Sequence, residues 1–184
     1  RAGVVVFTDS RFAIATAKAQ AMAGVIRECG GCTLLAVRDV AISEAAARMP
    51  AVTRELLAAH GPRWTHALAI NDIYFDYAVP VLIEAALPNG AISLLSAGDG
   101  SASAFMRIRA GTYQTGTVAE PLNMQGWQVI DELNRLFAGQ AVSGFVAPVR
   151  LVSGQNVGSD GGSRFVYDPE NGYRDVYRRI WTQR

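Results

Sequence analysis

What most constrains this chain is a repeated unit: a short aliphatic run, a few hydrogen-bonding residues, then a helix-like segment. Val4-Val5-Val6-Phe7 runs into Thr8-Asp9-Ser10-Arg11, and Leu34-Leu35-Ala36-Val37 into Arg38-Asp39. Ala67-Leu68-Ala69-Ile70 stops at Asn71-Asp72, the run 92–95 at Ser96-Ala97-Gly98-Asp99-Gly100, and the run 115–119 at Glu120-Pro121. Aliphatic runs that do not alternate belong to strands covered on both faces. Their regular exchange with helical patterns marks parallel α/β units. The spacing predicts helices over 12–28, 43–60 (with Ser43 as N-cap), 74–87, 101–110 and 122–137, and a last strand over 145–152. The fold class expected is α/β, a parallel sheet flanked by helices.

Composition excludes several alternatives. The 184 residues are 50% hydrophobic and 18% charged, with a mean hydropathy of +0.15, enough to bury a core. A formal charge of +1, spread along the chain, argues against nucleic acid as a partner. No apolar run is long enough to span a bilayer. The chain opens on Arg1-Ala2-Gly3 and enters a strand-like run at once, so a secretion signal, a leading domain or both are expected to have been removed.

In an open parallel sheet, ligands bind beyond the carboxyl ends of the strands, which directs attention to the polar tips. Each tip precedes a helix, so Asp9, Ser10, Asp72 and Ser101 also read as N-caps. Asn71, Asp99 and Glu120 fit that role less well. Enzyme signatures are missing: no Gly-x-Ser-x-Gly, no His-Glu-x-x-His, no phosphate-binding Gly-Lys-Ser/Thr loop. His60 and His66 flank the amino end of the third strand, away from the expected crevice. Cys29 and Cys32 follow a helix and precede a strand, the reverse of the redox-active order, so Gly30-Gly31 reads as a helix end and turn; a redox or metal pair is the lesser reading, and a local disulfide fits an oxidising compartment. The expectation is no enzyme, cofactor or metal, and a rim of amides and carboxylates suited to holding a neutral polar molecule.

The segment 153–163, SGQNVGSDGGS, reads as a linker or exposed loop. After it, Asp168-Pro169 reads as a cap and first-turn proline ahead of a short helix ending near Trp181. Tyr173, Tyr177, Ile180 and Trp181 share one side of that helix, which is expected to pack as an arm onto its own domain.

In this order the motifs resemble the later part of type I periplasmic sugar-binding proteins, the ribose- and galactose-binding group whose fold is shared with lac-repressor-like regulators. The resemblance runs from Val4 to about Val157. It rests on the strand into Asn71-Asp72, on Gly98-Asp99-Gly100, on Ile108 through Pro121, and on the helix ending in Leu136-Phe137-Ala138-Gly139-Gln140. It implies one lobe of a two-lobed hinged clamp, with Asn71 and Asp99 bonding sugar hydroxyls and Glu120 at a hinge position where the family usually has Gln. Lys18 stands where the family has Arg, and Ala97 where an aromatic is common. Tyr74 and Phe75 are candidates to cover the apolar sugar face, Phe75 less so. The organisation expected is residues 1–153 as the α/β domain, the first lobe largely absent, and 154–184 as linker and helical arm. The resemblance also implies that 115–137 crosses over to the first lobe, and so is left without a sheet here and free to pair with another copy.

The reading that follows is a solute-binding component of an ABC-type uptake system, periplasmic, holding a small neutral sugar or polyol by hinge closure and partnered by a membrane permease. The alternative is the effector-binding core of a lac-repressor-like regulator. A third reading, an enzyme on a Rossmann-like sheet, needs a cofactor or catalytic base that the sequence does not display.

Overall fold

A computed structural model describes residues 1–182. The aliphatic runs become β1 (Ala2–Thr8), β2 (Cys32–Asp39), β3 (His66–Ala69) and β4 (Ser93–Ser96), followed by β5 (Gln114–Ala119) and β6 (Arg150–Ser153). Between them lie α1 (Ala13–Glu28), α2 (Ala45–His60), α3 (Ile73–Glu84), α4 (Ala102–Ala110) and α5 (Leu122–Phe137); α6 (Val157–Asp160) and α7 (Tyr173–Thr182) close the chain. Among these residues six strands form one sheet in the order β2-β1-β3-β4-β5-β6. The first five are parallel and β6 is antiparallel to β5. The expectation of an α/β fold, a parallel sheet flanked by helices, holds, with β6 as its one antiparallel strand.

The core lies where the solid aliphatic runs require it. Val5, Val6, Phe7, Ala67 and Ala69 are buried with Met49 and Leu56 of α2 and Tyr74, Phe75 and Leu82 of α3. Ala15, Ala19 and Ala23 recur every fourth residue on the buried side of α1, small enough for close approach to the sheet. A smaller cluster joins Phe105 and Ile108 of α4 to Ala119, Val152 and Val157. Register aligns Phe7, Ala69, Ser96 and Thr117 in one row, so the polar residues that follow them emerge along one edge.

Several expectations are corrected. The segment 115–137 is not left without a sheet: β5 lies between β4 and β6. One side of α5 meets α7, where Trp127 stacks on Trp181. The strand expected over 145–152 begins only at Arg150 and runs to Ser153; Pro148 lacks an N–H for a ladder, and Val146 is 84% exposed. The stretch read as a linker contains α6, held by Asn156, whose Oδ1 accepts from Ser153 N at 2.7 Å and whose Nδ2 donates to Leu151 O at 2.9 Å. Pro169 does not open α7; Asn171 Oδ1 accepts from Tyr173 N instead. Ser43 makes no N-cap bond, since a 3₁₀ turn, Ile42–Glu44, precedes α2. Cys29 and Cys32 are joined as a local disulfide. No helix among the described residues is long and apolar enough to cross a membrane.

Candidate functional site

At the carboxyl edge of the sheet, four elements bring polar groups together. Asn71, between β3 and α3, donates from Nδ2 to Asp99 Oδ2 at 2.7 Å, while its Oδ1 accepts from Ile73 N at 3.0 Å. Asp99 sits in the turn after β4, where it is exposed. Glu120 follows β5, and its N–H donates to Asp99 O at 3.3 Å. Lys18 reaches over from α1: its Nζ donates to Ala97 O at 2.8 Å and lies 3.7 Å from Glu120 Oε1. Gln125 Nε2 steadies the other Glu120 oxygen at 3.3 Å. Asn71, Asp99, Glu120 and Lys18, far apart in sequence, are therefore neighbours at this edge. The rim mixes donors and acceptors, and its one ammonium is set against two carboxylates.

The turn that carries Asp99 depends on its glycines. A Cβ on Gly98 would sit 2.5 Å from Ile70 O, and one on Gly100 2.5 Å from the Ala119 Cβ. Gly100 has φ +71 and Asp99 itself φ +52, a left-handed conformation uncommon for a residue with a side chain. The close approach presses the turn against both the β3 tip and the β5 tip.

Capping is shared out differently from the expectation. Ser101 does cap α4, accepting from Ala104 N at 3.2 Å. Asp72 makes no cap bond to α3; its neighbour Asn71 takes the first-turn N–H. Asp9 is a buried anchor that accepts from Arg11 Nε at 2.9 Å, Arg11 Nη2 at 2.7 Å and Ile42 N at 2.8 Å. The Arg11 guanidinium, helped by the Ile42 N–H and against the effect of burial, holds its carboxyl far below the usual carboxylate range. Ser10 hydrogen-bonds Asp39 through both its hydroxyl and its N–H. Tyr74 is unavailable to a ligand: it is fully buried, stacks on Phe7 with ring centroids 5.8 Å apart, and donates to Val40 O at 2.7 Å. Phe75 is in the core as well.

Under this rim Asp72 and Ser96, read from the sequence only as a cap candidate and a strand tip, are grouped with Gln114 and Thr117, which were not singled out; all four are buried. The group's only signal was polar residues set within otherwise apolar strands. Among the described residues no group of three or more His, Cys, Asp or Glu is arranged to hold a metal ion.

No protein-family model and no curated protein matches this sequence. Solved structures do. An ABC-transporter solute-binding protein from Agrobacterium vitis, bound with α-D-tagatopyranose, superposes with a TM-score of 0.77 at 15% identity over 92% of this chain and 55% of its own. A periplasmic solute-binding protein from Actinobacillus succinogenes with bound D-allose gives 0.75 at 16% identity over 85% of this chain and 54% of its own. One from Mycobacterium smegmatis with bound glycerol gives 0.75 at 20% identity over 91% and 57%. The chain spans just over half the length of the solved proteins it matches.

Proposed function

We propose that this chain is a sugar-binding lobe of a solute-binding protein, acting in an ABC-type uptake system and carrying out no reaction of its own. The observation behind this is the convergence of Asn71, Asp99, Glu120 and Lys18 on one rim, with Asn71 and Asp99 2.7 Å apart. A sugar hydroxyl is both donor and acceptor, and a carboxylate or amide engages two at once. Solved proteins of the same fold carry a tagatose, an allose or glycerol, which supports a small neutral sugar or polyol as ligand. In this reading the protein is periplasmic, a membrane permease is its partner, and the ligand is held by hinge closure against a second lobe. The exposed face of α5, with Val129, Leu133 and Leu136, is the seat we assign to that lobe; the homodimer raised by the sequence reading would use the same face. The regulator alternative has no observation in its favour.

Thermal-shift screening against D-allose, D-tagatose, D-ribose and glycerol tests the proposal, because a ligand that binds only the folded state raises the melting temperature. Asp99→Ala should weaken any hit by tenfold or more, consistent with about 1.5–3 kcal/mol for a hydrogen bond to a charged group. An unchanged response would remove Asp99 from the site, and no shift with any of the four ligands would remove the sugar reading.

A further inference from the structure

Asp72 is 1% exposed, and its carboxylate is surrounded by donors. Oδ1 accepts from the Ser96 hydroxyl and from Gln114 Nε2 at 3.0 Å; Oδ2 accepts from Ser101 N at 2.9 Å. Gln114 is not free to turn its amide round. Its Oε1 accepts from Arg107 Nε at 2.9 Å, and Arg107 is itself held by Asp76. On the other side of Ser96, Thr117 Oγ1 lies 3.0 Å from its hydroxyl oxygen and donates to Gly98 O at 3.2 Å. The bonds to Ser101 N and Gly98 O bracket Asp99, which stands at φ +52. Such a backbone persists only where its surroundings over-determine it.

We propose that Asp72 is the positioning residue of the rim. It does not touch ligand; with Oδ1 held by Ser96 and Gln114, its Oδ2 takes the Ser101 N–H and fixes the strained turn that aims the Asp99 carboxylate at Asn71 and at a bound hydroxyl. The inference rests on the sugar-site reading for its consequence in binding, but not for its consequence in the turn. It also explains why Asn71 and Asp72 end an aliphatic strand side by side: one faces the mouth and the other holds the floor beneath it.

Asp72→Asn tests this sharply, because it keeps the volume but must aim an NH2 at a donor. At the Oδ2 position it meets Ser101 N–H; at the Oδ1 position it meets the Gln114 amide, which Arg107 prevents from flipping. Hydrogen exchange at the Gly100 and Ser101 amides should accelerate at least tenfold. Affinity for whichever of D-allose, D-tagatose, D-ribose or glycerol the wild type binds should fall at least tenfold. Because Asp72 acts through Asp99, adding Asp72→Asn to Asp99→Ala should cost no further affinity. Ser96→Ala removes one donor to Asp72 Oδ1 and should move exchange and affinity the same way by less, which covers the case of an Asp72 variant that does not fold. Leu56→Ala, a cavity in α2 remote from the rim, controls for destabilisation alone. Wild-type exchange in the turn of both variants would overturn the proposal. So would an affinity loss that adds in full to that of Asp99→Ala, or one matched by Leu56→Ala at equal loss of melting temperature. If the wild type binds none of the four ligands, the sugar reading fails, while exchange at Gly100 and Ser101 still decides whether Asp72 holds the turn.

Discussion

The region around β1, β3, α2 and α3 and the region formed by α5 and α7 are held together by different physics. In the first, Phe7, Met49, Leu56, Phe75 and Leu82 are all fully buried, enclosed by sheet and helices together. In the second, α5 buries only Met124 and Asp131. It is joined to α7 by rings: Trp127 stacks on Trp181 with centroids 5.2 Å apart and meets Tyr173 edge-on at 6.2 Å. Trp181 Nε1 donates to Asp131 Oδ1 at 2.9 Å, and the Arg178 guanidinium lies over the Trp127 ring. The far side of α5 is open, with Leu136 69% and Phe137 83% exposed. Burial from every side couples a residue to the whole molecule, whereas a contact between two helices couples it mainly to its partner. The first region should therefore unfold only with the domain, and the second should open locally.

The largest effect expected from this comparison is that of Phe75→Ala. Emptying a fully enclosed aromatic site costs about 3–5 kcal/mol, to be read from urea unfolding followed by far-ultraviolet circular dichroism. A loss under about 1 kcal/mol would mean that the site collapses around the gap and is not the rigid enclosure described.

The same contrast governs what could be read from the sequence. Strands such as Val4-Val5-Val6-Phe7 were legible because burial on both faces leaves a local aliphatic signature, and the polar tips stood out against them. The resemblance then picked out Asn71, Asp99, Glu120 and Lys18, which lie side by side at the carboxyl edge of the sheet. What escaped depends on partners distant in sequence. Asp72 looked like a cap because its donors, Ser96 and Gln114, lie 24 and 42 residues away. Tyr74 looked available to a ligand because adjacency to Asn71 does not say which way a helix turns its first residues. β5 was misplaced because the resemblance implied a crossover, whereas pairing is decided by the neighbouring edge of β4. The shared face of Tyr173, Tyr177 and Trp181 was legible from their spacing, but not that Trp127 would be its counterpart.

A smaller effect is expected at Trp181→Ala. The stacked pair contributes about 0.5–1.5 kcal/mol beyond its area, and the Asp131 bond about 1 kcal/mol. Hydrogen exchange should quicken along α7 and the facing turns of α5 while amides of β1 and β3 keep their protection. If the strands lost protection to the same degree, the two regions would form one cooperative unit and the contrast would fall.

The smallest effect sharpens the comparison through pH. Tyr173 donates its hydroxyl to Asp168 Oδ1 at 2.9 Å, and burial, then that bond and the neighbouring carboxylate, push its pKa up to about 12 from 10.0. Asp168 is itself held low: burial works against this, but the hydrogen bonds from Arg174 and Tyr173 outweigh it. A phenol whose pKa is raised on folding contributes stability that is fully present below the unfolded value. That stability is lost as pH rises from about 10 towards 12. At pH 10.5 the loss is about 1 kcal/mol, and it falls on the clasp, where Tyr173 meets Trp127 edge-on. Tryptophan fluorescence during an alkaline titration should therefore report opening of α7 before the far-ultraviolet signal of the sheet moves. Tyr173→Phe should lower clasp stability at neutral pH by about 1 kcal/mol, through the lost bond to Asp168, and flatten its dependence between pH 9 and 11. An unchanged alkaline slope in Tyr173→Phe would place the titrating group elsewhere and remove Tyr173 from the account of how the arm is held.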